Sequence, residues 1–159
     1  MSQLSKGLSN SYLDSLGKKL FKDFVGVFPC DIHPSISKKS KFSIIFNTGD
    51  STTSGEHFIA IVKTAKSIFY FDSFGSHPSD PNILTFLNNL KKKNRRLIVW
   101  KKKIQDDSSI YCGFYCIGFI IHKTIKKSKF HTLFTGNKSL HKNDERIVDF
   151  IIKNVDKCK

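Results

Sequence analysis

The residue best suited to covalent chemistry in this chain is Cys112, which opens the apolar segment CGFYCIGFIIH. The preceding residues, QDDSSIY, have the composition of a loop, so the sequence predicts that Cys112 lies in the first turn of a helix. Unpaired N–H groups and partial positive charge at a helix N-terminus favour a thiolate. The Cys112 N–H and the small neighbour Gly113 also allow close approach of a developing oxyanion. Cys112 is therefore a candidate nucleophile; the alternative is a small buried core cysteine.

A nucleophile needs a base, and among six histidines His57 alone begins a strand-like run, HFIAIV. Asp72 ends the next such run, IFYFD, just before the turn SFG. If the two runs form a hairpin that turns at residues 64–66, counting inward pairs His57 with Asp72 and Ile59 with Tyr70. The carboxylate then fixes the imidazole tautomer and stabilises an imidazolium. The alternative is a surface histidine beside a turn-forming aspartate.

Gln105 lies seven residues before Cys112, in the loop that leads to it. Its side-chain amide can donate to an oxyanion together with the Cys112 N–H, and loss of such a donor typically lowers a rate ~10²–10³-fold. A loop glutamine taken alone is usually solvated. The interpretation of Gln105 as an oxyanion donor therefore depends on the other three residues.

A mixed α+β domain must position these side chains. Ser9 or Ser11 caps an amphipathic helix that includes Phe24 and ends near Gly26, and a Pro-containing loop follows. Three runs rich in Ile, Phe, Val and Tyr have connections too short for crossover helices, so they predict an antiparallel meander. The segment after Cys112 is apolar nearly all round, which predicts a central helix buried against a mostly antiparallel sheet. The predicted strands are residues 42–47, 57–63, 67–72 and 97–100, and the other predicted helices are one that opens at Pro81 with Ile83, Leu84, Leu87 and Leu90 on one face, and one over residues 143–155.

Composition limits the classes of protein that fit. The chain has 159 residues, and 27 Lys+Arg against 13 Asp+Glu give a formal charge of +14. Hydrophobic residues make up 39%, which predicts one folded domain over residues 1–159 rather than a disordered chain. The longest uncharged apolar run, residues 110–121, is too short to span a bilayer, and no signal-type segment opens the chain, so we expect neither a membrane protein nor a secreted one. Four cysteines predict reduced thiols in a cytoplasmic or nuclear setting.

Two further patterns carry weaker signals. Cys112 and Cys116 lie four residues apart, but His122 falls on another side of the helix, so no metal site is predicted. Cys116 is interpreted as core, and Cys30 as a structural thiol or a loop thiol near the cleft. Eight basic residues lie within residues 91–103, which predicts either a polyanion-binding edge or a solvated face around one strand. They are Lys91, Lys92, Lys93, Arg95, Arg96, Lys101, Lys102 and Lys103.

Several motifs resemble one family in their order along the chain. GEHFIAIV, FYFDSFG and IQDDSSIYCGFYCIGFIIH resemble the His, acidic and Gln…Cys-Gly motifs of the adenovirus-type cysteine proteases and of their relatives in virus-like Polinton elements. FVGVFPCD and FSIIFNTGDSTTSGEH are also similar, so the resemblance covers residues 24–122, about two-thirds of the chain. The family belongs to the same clan as the SUMO- and ubiquitin-like-protein proteases.

The resemblance implies a papain-like fold of circularly rearranged order, with His57, Asp72 and Cys112 as a triad and Gln105 in the oxyanion hole. It implies cleavage of viral capsid or core precursor proteins at small-residue, Gly-containing sites during virion maturation. A monomer in the virion and in the host cytoplasm or nucleus is expected. Duplex DNA is implied as an activator or track, although the chemistry itself requires no cofactor. The implied substrate contacts are Ser54, Gly55 and Glu56.

The sequence departs from the family pattern at two points. Phe58 stands where the family commonly has Trp, which predicts a change in packing because neighbouring strand residues face opposite sides. Residues 95–103 contain no cysteine, so activation through a disulfide-linked peptide is not expected. Two other functions stay open at this point. One is a protease specific for ubiquitin-like modifiers, and the other is a non-enzymatic basic domain that binds nucleic acid.

Overall fold

A five-stranded mixed sheet and four helices form the fold. The computed structural model describes residues 8–36, 38–52, 57–91, 95–134 and 139–158. The strands, in spatial as well as chain order, are β1 (Phe24–Pro29), β2 (Phe42–Asn47), β3 (Phe58–Lys63), β4 (Ser67–Phe71) and β5 (Arg96–Val99). The helices are α1 (Asn10–Leu20), α2 (Pro81–Lys91), α3 (Cys112–Thr124) and α4 (Asn143–Asn154). The predicted α+β class is confirmed.

The predicted meander is also confirmed, because β2 and β3, and then β3 and β4, pair antiparallel. The expected predominance of antiparallel pairing is wrong, since β1 pairs parallel with β2 and β4 pairs parallel with β5. Both outer connections are long enough to cross over. Residues 30–41 separate β1 from β2, and α2 lies between β4 and β5.

The first helix ends earlier than predicted. Ser9 caps α1, and its hydroxyl accepts a hydrogen bond from the Tyr12 N–H at 3.2 Å. The helix stops at Leu20, and Phe24 belongs to β1 instead of continuing the helical stripe. The Phe24 ring packs back over Gly17, where a Cβ atom would lie 2.3 Å from the ring carbon Cε1. This close ring contact on a glycine is what the periodicity of the apolar residues could not reveal.

The sheet separates two apolar cores. Helices α1, α3 and α4 contribute to the core on one face, and α2 contributes to the core on the other. Strands β2 and β3 are buried along their whole length, as expected for strands covered on both faces. Helix α3 is the central helix that the sequence predicted. On α2, Phe86 is buried whereas Leu84 is exposed, so the buried face is shifted by one position from the predicted one.

No helix in the described part of the chain has both the length and the apolar character needed to cross a membrane.

Candidate active site

Cys112 is the first residue of α3, as predicted, and it borders a cleft of about 780 Å³. His57 and Gln105 line the same cleft. Cys112 is partly exposed, whereas Cys116 and Cys30 are buried. Cys116 lies in the core beneath α3, and Cys30 lies in the core on the opposite face of the sheet. Among these three thiols, only that of Cys112 faces the cleft.

His57 and Asp72 form a close ion pair. Nε2 of His57 donates to Oδ1 of Asp72 at 2.8 Å, and Asp72 is only 7% exposed. The predicted register is wrong by two residues, because Tyr70 pairs with Ile61 rather than with Ile59. The two side chains therefore meet on a diagonal beyond the paired part of the ladder. Their contact survives the shift since diagonal neighbours stay within reach of a long side chain.

The electrostatic environment of His57 favours the imidazolium. Burial is the largest single influence and lowers its pKa. Hydrogen bonds to Asp72 and to Cys112, together with the negative charges of both partners, outweigh burial and raise the pKa of His57 from 6.5 to about 9. The ring also stacks on Phe74, with centroids 4.7 Å apart. His57 is thus held between the carboxylate and the thiol, and it is charged at neutral pH.

The turn after β4 holds Asp72 and Gln105 together. The Gly75 N–H donates to the Asp72 carbonyl at 2.8 Å, and Gly75 has a φ of +74°, a conformation that favours glycine. A Cβ atom on Gly75 would lie 2.8 Å from the backbone of residues 102–103. Within the turn, the carbonyl of Ser73 accepts from the N–H of Gln105 at 3.1 Å. One backbone turn therefore fixes the acidic residue and the amide residue relative to each other.

The Gln105 side chain is 1% exposed and is held at both ends. The hydroxyl of Ser73 donates to Oε1. Nε2 donates to the carbonyl of Ser109 at 3.0 Å and to its hydroxyl at 3.2 Å. Gln105 is thus an ordered residue that borders the cleft, not a solvated loop side chain.

Gly113 has a different role from the one predicted. A Cβ atom there would lie 3.3 Å from side-chain carbons of Leu8 and Leu13, so this glycine admits packing of the N-terminal segment against α3. The predicted substrate contacts Ser54, Gly55 and Glu56 lie outside the described residues.

The basic segment 91–103 is not one uniform surface. Lys91, Arg96 and Lys101 are exposed. Lys102 donates to the carbonyl of Phe134 at 2.5 Å, and Lys103 pairs with Asp107 at 2.7 Å. The side chain of Arg95 is partly buried. Lys92 and Lys93 lie outside the described residues.

Sequence reasoning missed four residues that support the site. Phe74 and Ser73 stand directly after Asp72, and Ser109 lies in the QDDSSIY loop, so proximity in the chain was an available signal. The fourth is Asp144, whose carboxylate accepts from the Ser109 hydroxyl at 2.8 Å. It lies 32 residues after Cys112, and nothing in the sequence pattern links the two.

An α+β domain in which a helix N-terminal cysteine faces a histidine–aspartate pair is one that peptidases use for thiol chemistry. The family model described as adenovirus endoprotease matches residues 24–133, a span that includes His57, Asp72, Gln105 and Cys112. The match covers more than half of the chain, which therefore belongs to the adenovirus endoprotease family. The resemblance drawn from the motifs is confirmed at this level.

One solved structure similar to this chain is that of the ASFV pS273R protease, crystallised as its selenomethionine form. The two share 23% sequence identity with a TM-score of 0.49, over 68% of this chain and 43% of that one. This chain therefore spans less than half of that relative's length. No curated protein matches the sequence.

Proposed function

We propose that this protein is a cysteine endopeptidase in which Cys112 is the nucleophile, His57 the general acid and base, and Asp72 the residue that orients His57. The observation that carries the proposal is the position of the His57 ring, which bonds through Nε2 to Asp72 and also contacts the Cys112 thiol. Membership of the adenovirus endoprotease family supports the same assignment.

In the first step the Cys112 thiolate attacks the carbonyl carbon of the scissile peptide bond, and the carbonyl electron pair moves to oxygen. The raised pKa of His57 means that the imidazolium already faces the thiolate before attack. Cysteine therefore need not lose its proton during the attack. Asp72 keeps the ring oriented and offsets its charge, as the third member of a triad does.

The oxyanion is stabilised by the Cys112 N–H and by Nε2 of Gln105. The two acceptors of Nε2 belong to one residue, Ser109, so one hydrogen can stay with Ser109 while the other points to the oxyanion. The amide cannot easily flip, because Oε1 is occupied by the Ser73 hydroxyl. A preorganised donor of this kind is worth several kcal/mol at the transition state, about 3–4 from single-donor deletions.

Collapse of the tetrahedral intermediate breaks the C–N bond, and the leaving amine takes the proton from the His57 imidazolium. A thioester on Cys112 remains. Neutral His57 then removes a proton from water, the hydroxide attacks the thioester, and the thiolate leaves as the acid product forms. His57 ends the cycle protonated, as it began.

The proposed substrates are precursors of viral capsid or core proteins, cut at small-residue, Gly-containing sites during virion maturation. Family membership supports this choice. Ser54, Gly55 and Glu56 immediately precede His57 in the chain and are proposed as contacts to the substrate backbone. We also propose that the enzyme acts as a monomer in the virion and in the host cytoplasm or nucleus, with duplex DNA bound by the exposed basic residues as activator or track.

The direct test is selective labelling of Cys112. We expect iodoacetamide near pH 6 to modify Cys112 quickly, because the facing imidazolium favours its thiolate. Cys158 is the matched control, since it is also partly exposed but burial raises its pKa. Mass mapping reads out both sites, and equal labelling of Cys158 and Cys112 contradicts the proposal.

Cleavage is tested with Cys112→Ala against Cys158→Ala on a recombinant precursor that contains Gly-X-Gly sites. Only Cys112→Ala is expected to abolish cleavage, and both variants should unfold at the same temperature as the wild type. Activity that survives Cys112→Ala contradicts the proposal. An aldehyde derivative of a ubiquitin-like protein that captures Cys112 would move the substrate class to modifier removal and leave the mechanism unchanged.

A further inference from the structure

Helix α4 reaches the candidate site from outside it, through the carboxylate of Asp144. Oδ1 of Asp144 accepts a hydrogen bond from the Ser109 hydroxyl at 2.8 Å. The Ser109 hydroxyl oxygen in turn accepts from Nε2 of Gln105 at 3.2 Å and from the Tyr111 N–H at 3.2 Å. Asp144 is thus one hydroxyl group away from the Gln105 amide that borders the cleft.

The same carboxylate oxygen holds the helix that carries the nucleophile. The hydroxyl of Tyr115 donates to Oδ1 of Asp144 at 2.9 Å, and Tyr115 is fully buried in the first turn of α3, three residues after Cys112. Burial, followed by the nearby Asp144 charge, raises the pKa of the Tyr115 hydroxyl far above its usual range. The hydroxyl therefore stays protonated and donates. A single atom of Asp144 is bonded to the Gln105 loop and to the Cys112 helix.

The neighbour of Asp144 secures the other end of the same loop. Asn143 is 2% exposed, and its Nδ2 donates to the carbonyl of Ile104 at 2.8 Å. Ile104 directly precedes Gln105 in the chain. The first turn of α4 thus grips the loop on both sides of Gln105. A donor that is buried and bonded at each side cannot relax easily when one bond is removed.

We propose that Asp144 is a positioning residue that sets the placement of the Gln105 amide relative to Cys112 and thereby the strength of the oxyanion hole. This inference rests on the proposed function, because it assumes an oxyanion formed at Cys112. Asp144 acts through Ser109 and Tyr115 and does not touch substrate. Displacement of a preorganised donor by about 1 Å can lower a rate ~10²-fold, so the effect is expected in turnover rather than in binding.

The test compares Asp144→Ala with Glu145→Ala. Both remove a carboxylate from the first turn of α4, but Glu145 is exposed and its loss affects only the helix terminus. For Asp144→Ala we expect kcat to fall by ~10–10²-fold with KM changed less than about threefold. Glu145→Ala should leave both constants near wild type. Asp144→Asn keeps an acceptor oxygen for both hydroxyls and should recover most of the lost kcat.

A double-mutant cycle shows whether Asp144 acts through Gln105. We expect Asp144→Ala to cause no further loss of kcat once Gln105 is already Ala, because the group it positions is gone. Alkylation of Cys112 by iodoacetamide forms no oxyanion, so its rate should be unchanged in Asp144→Ala. Unchanged kcat in Asp144→Ala overturns the inference, and so do losses that multiply in the cycle.

Two further variants keep the inference testable if Asp144→Ala does not fold. Ser109→Ala and Tyr115→Phe each remove one hydroxyl that bonds to Asp144, and each should lower kcat with little change in KM. Wild-type kcat in both variants overturns the inference. Failure of the proposed function has a different signature, namely precursor cleavage that persists in Cys112→Ala whatever residue stands at position 144.

Discussion

Replacement of Asp72 by Asn tests the charge balance around His57. Asparagine keeps an acceptor oxygen in place but removes the negative charge 2.8 Å from Nε2. In the wild-type protein the two negative partners hold the pKa of His57 at about 9 against the lowering effect of burial. With Asp72 neutral, burial faces only the contribution of Cys112. We therefore expect the pKa of His57 to fall to about 6.5 or below.

The size of the change follows from these values. A pKa of about 9 leaves roughly 97% of His57 protonated at pH 7.5, whereas a pKa of 6.5 leaves roughly 9%. Since the folded-state pKa lies above the unfolded value, the imidazolium stabilises the fold fully below about pH 6.5, and this stabilisation is lost as pH rises through about 9. The His57 side chain is only 16% exposed, so solvent screens it little. At 1.36 kcal/mol per pKa unit the stabilisation is on the order of 3 kcal/mol.

NMR titration of the histidine ring protons measures the pKa, with His57→Ala used to assign the signal. Urea unfolding at pH 6 and pH 10 then measures the stability difference. Asp72→Asn should destabilise the protein by about 2–3 kcal/mol at pH 6 and by much less at pH 10. The control is Asp107→Asn, which removes a carboxylate that also lines the cleft but is 83% exposed and pairs with Lys103.

The reasoning is refuted if the pKa of His57 stays near 9 in Asp72→Asn. It is also refuted if the loss of stability is equal at the two pH values, because the charge of His57 would then not be linked to Asp72. A fall of the His57 pKa in Asp107→Asn as large as in Asp72→Asn would show that any cleft charge suffices.

Four other outcomes are expected. His57→Ala should lower kcat about as much as Cys112→Ala, because a nucleophile and its base fail as a unit, and stopped-assay cleavage rates measure both. Gln105→Ala should lower kcat ~10²–10³-fold with a smaller change in KM, and unchanged turnover would remove Gln105 from the site. Replacement of the three lysines of residues 101–103 by Gln should flatten the salt dependence of DNA binding, by up to about three contacts at 0.9 log unit each, and an unchanged slope would mark the segment as a solvated face. Gly75→Ala should lower the free energy of unfolding by about 1–3 kcal/mol in urea titration, because its Cβ meets backbone atoms at positive φ, and wild-type stability would contradict that strain.

Local signals in the sequence were sufficient to find the reacting residues. A loop that meets an apolar run places a cysteine at a helix N-terminus, because helix formation depends on neighbouring residues. Cys112 stands there in the structure. The short connections of the central strands likewise permit only antiparallel pairing, and this brought His57 and Asp72 to one end of a hairpin.

Local signals failed where the outcome depended on packing between distant elements. The end of α1 was predicted too late because the Phe24 ring fits over Gly17, a contact that periodicity does not encode. The parallel pairing of β1 and β5 depends on which sheet edge each strand reaches after its crossover. The hairpin register, two residues from the predicted one, is set by the Thr64 to Ser67 turn, where the Thr64 N–H donates to the Ser67 carbonyl at 2.8 Å.

By itself, the sequence determined which residue types stand at the helix terminus and at the hairpin ends, since these depend on neighbours in the chain. Only the tertiary structure decided their chemical state. The pKa of His57 reflects burial opposed by two partners that folding brings near it. The grip of Asp144 on the Gln105 loop joins residues 39 positions apart. Burial and long-range hydrogen bonds arise only when the elements pack together, and for that reason no local pattern contains them.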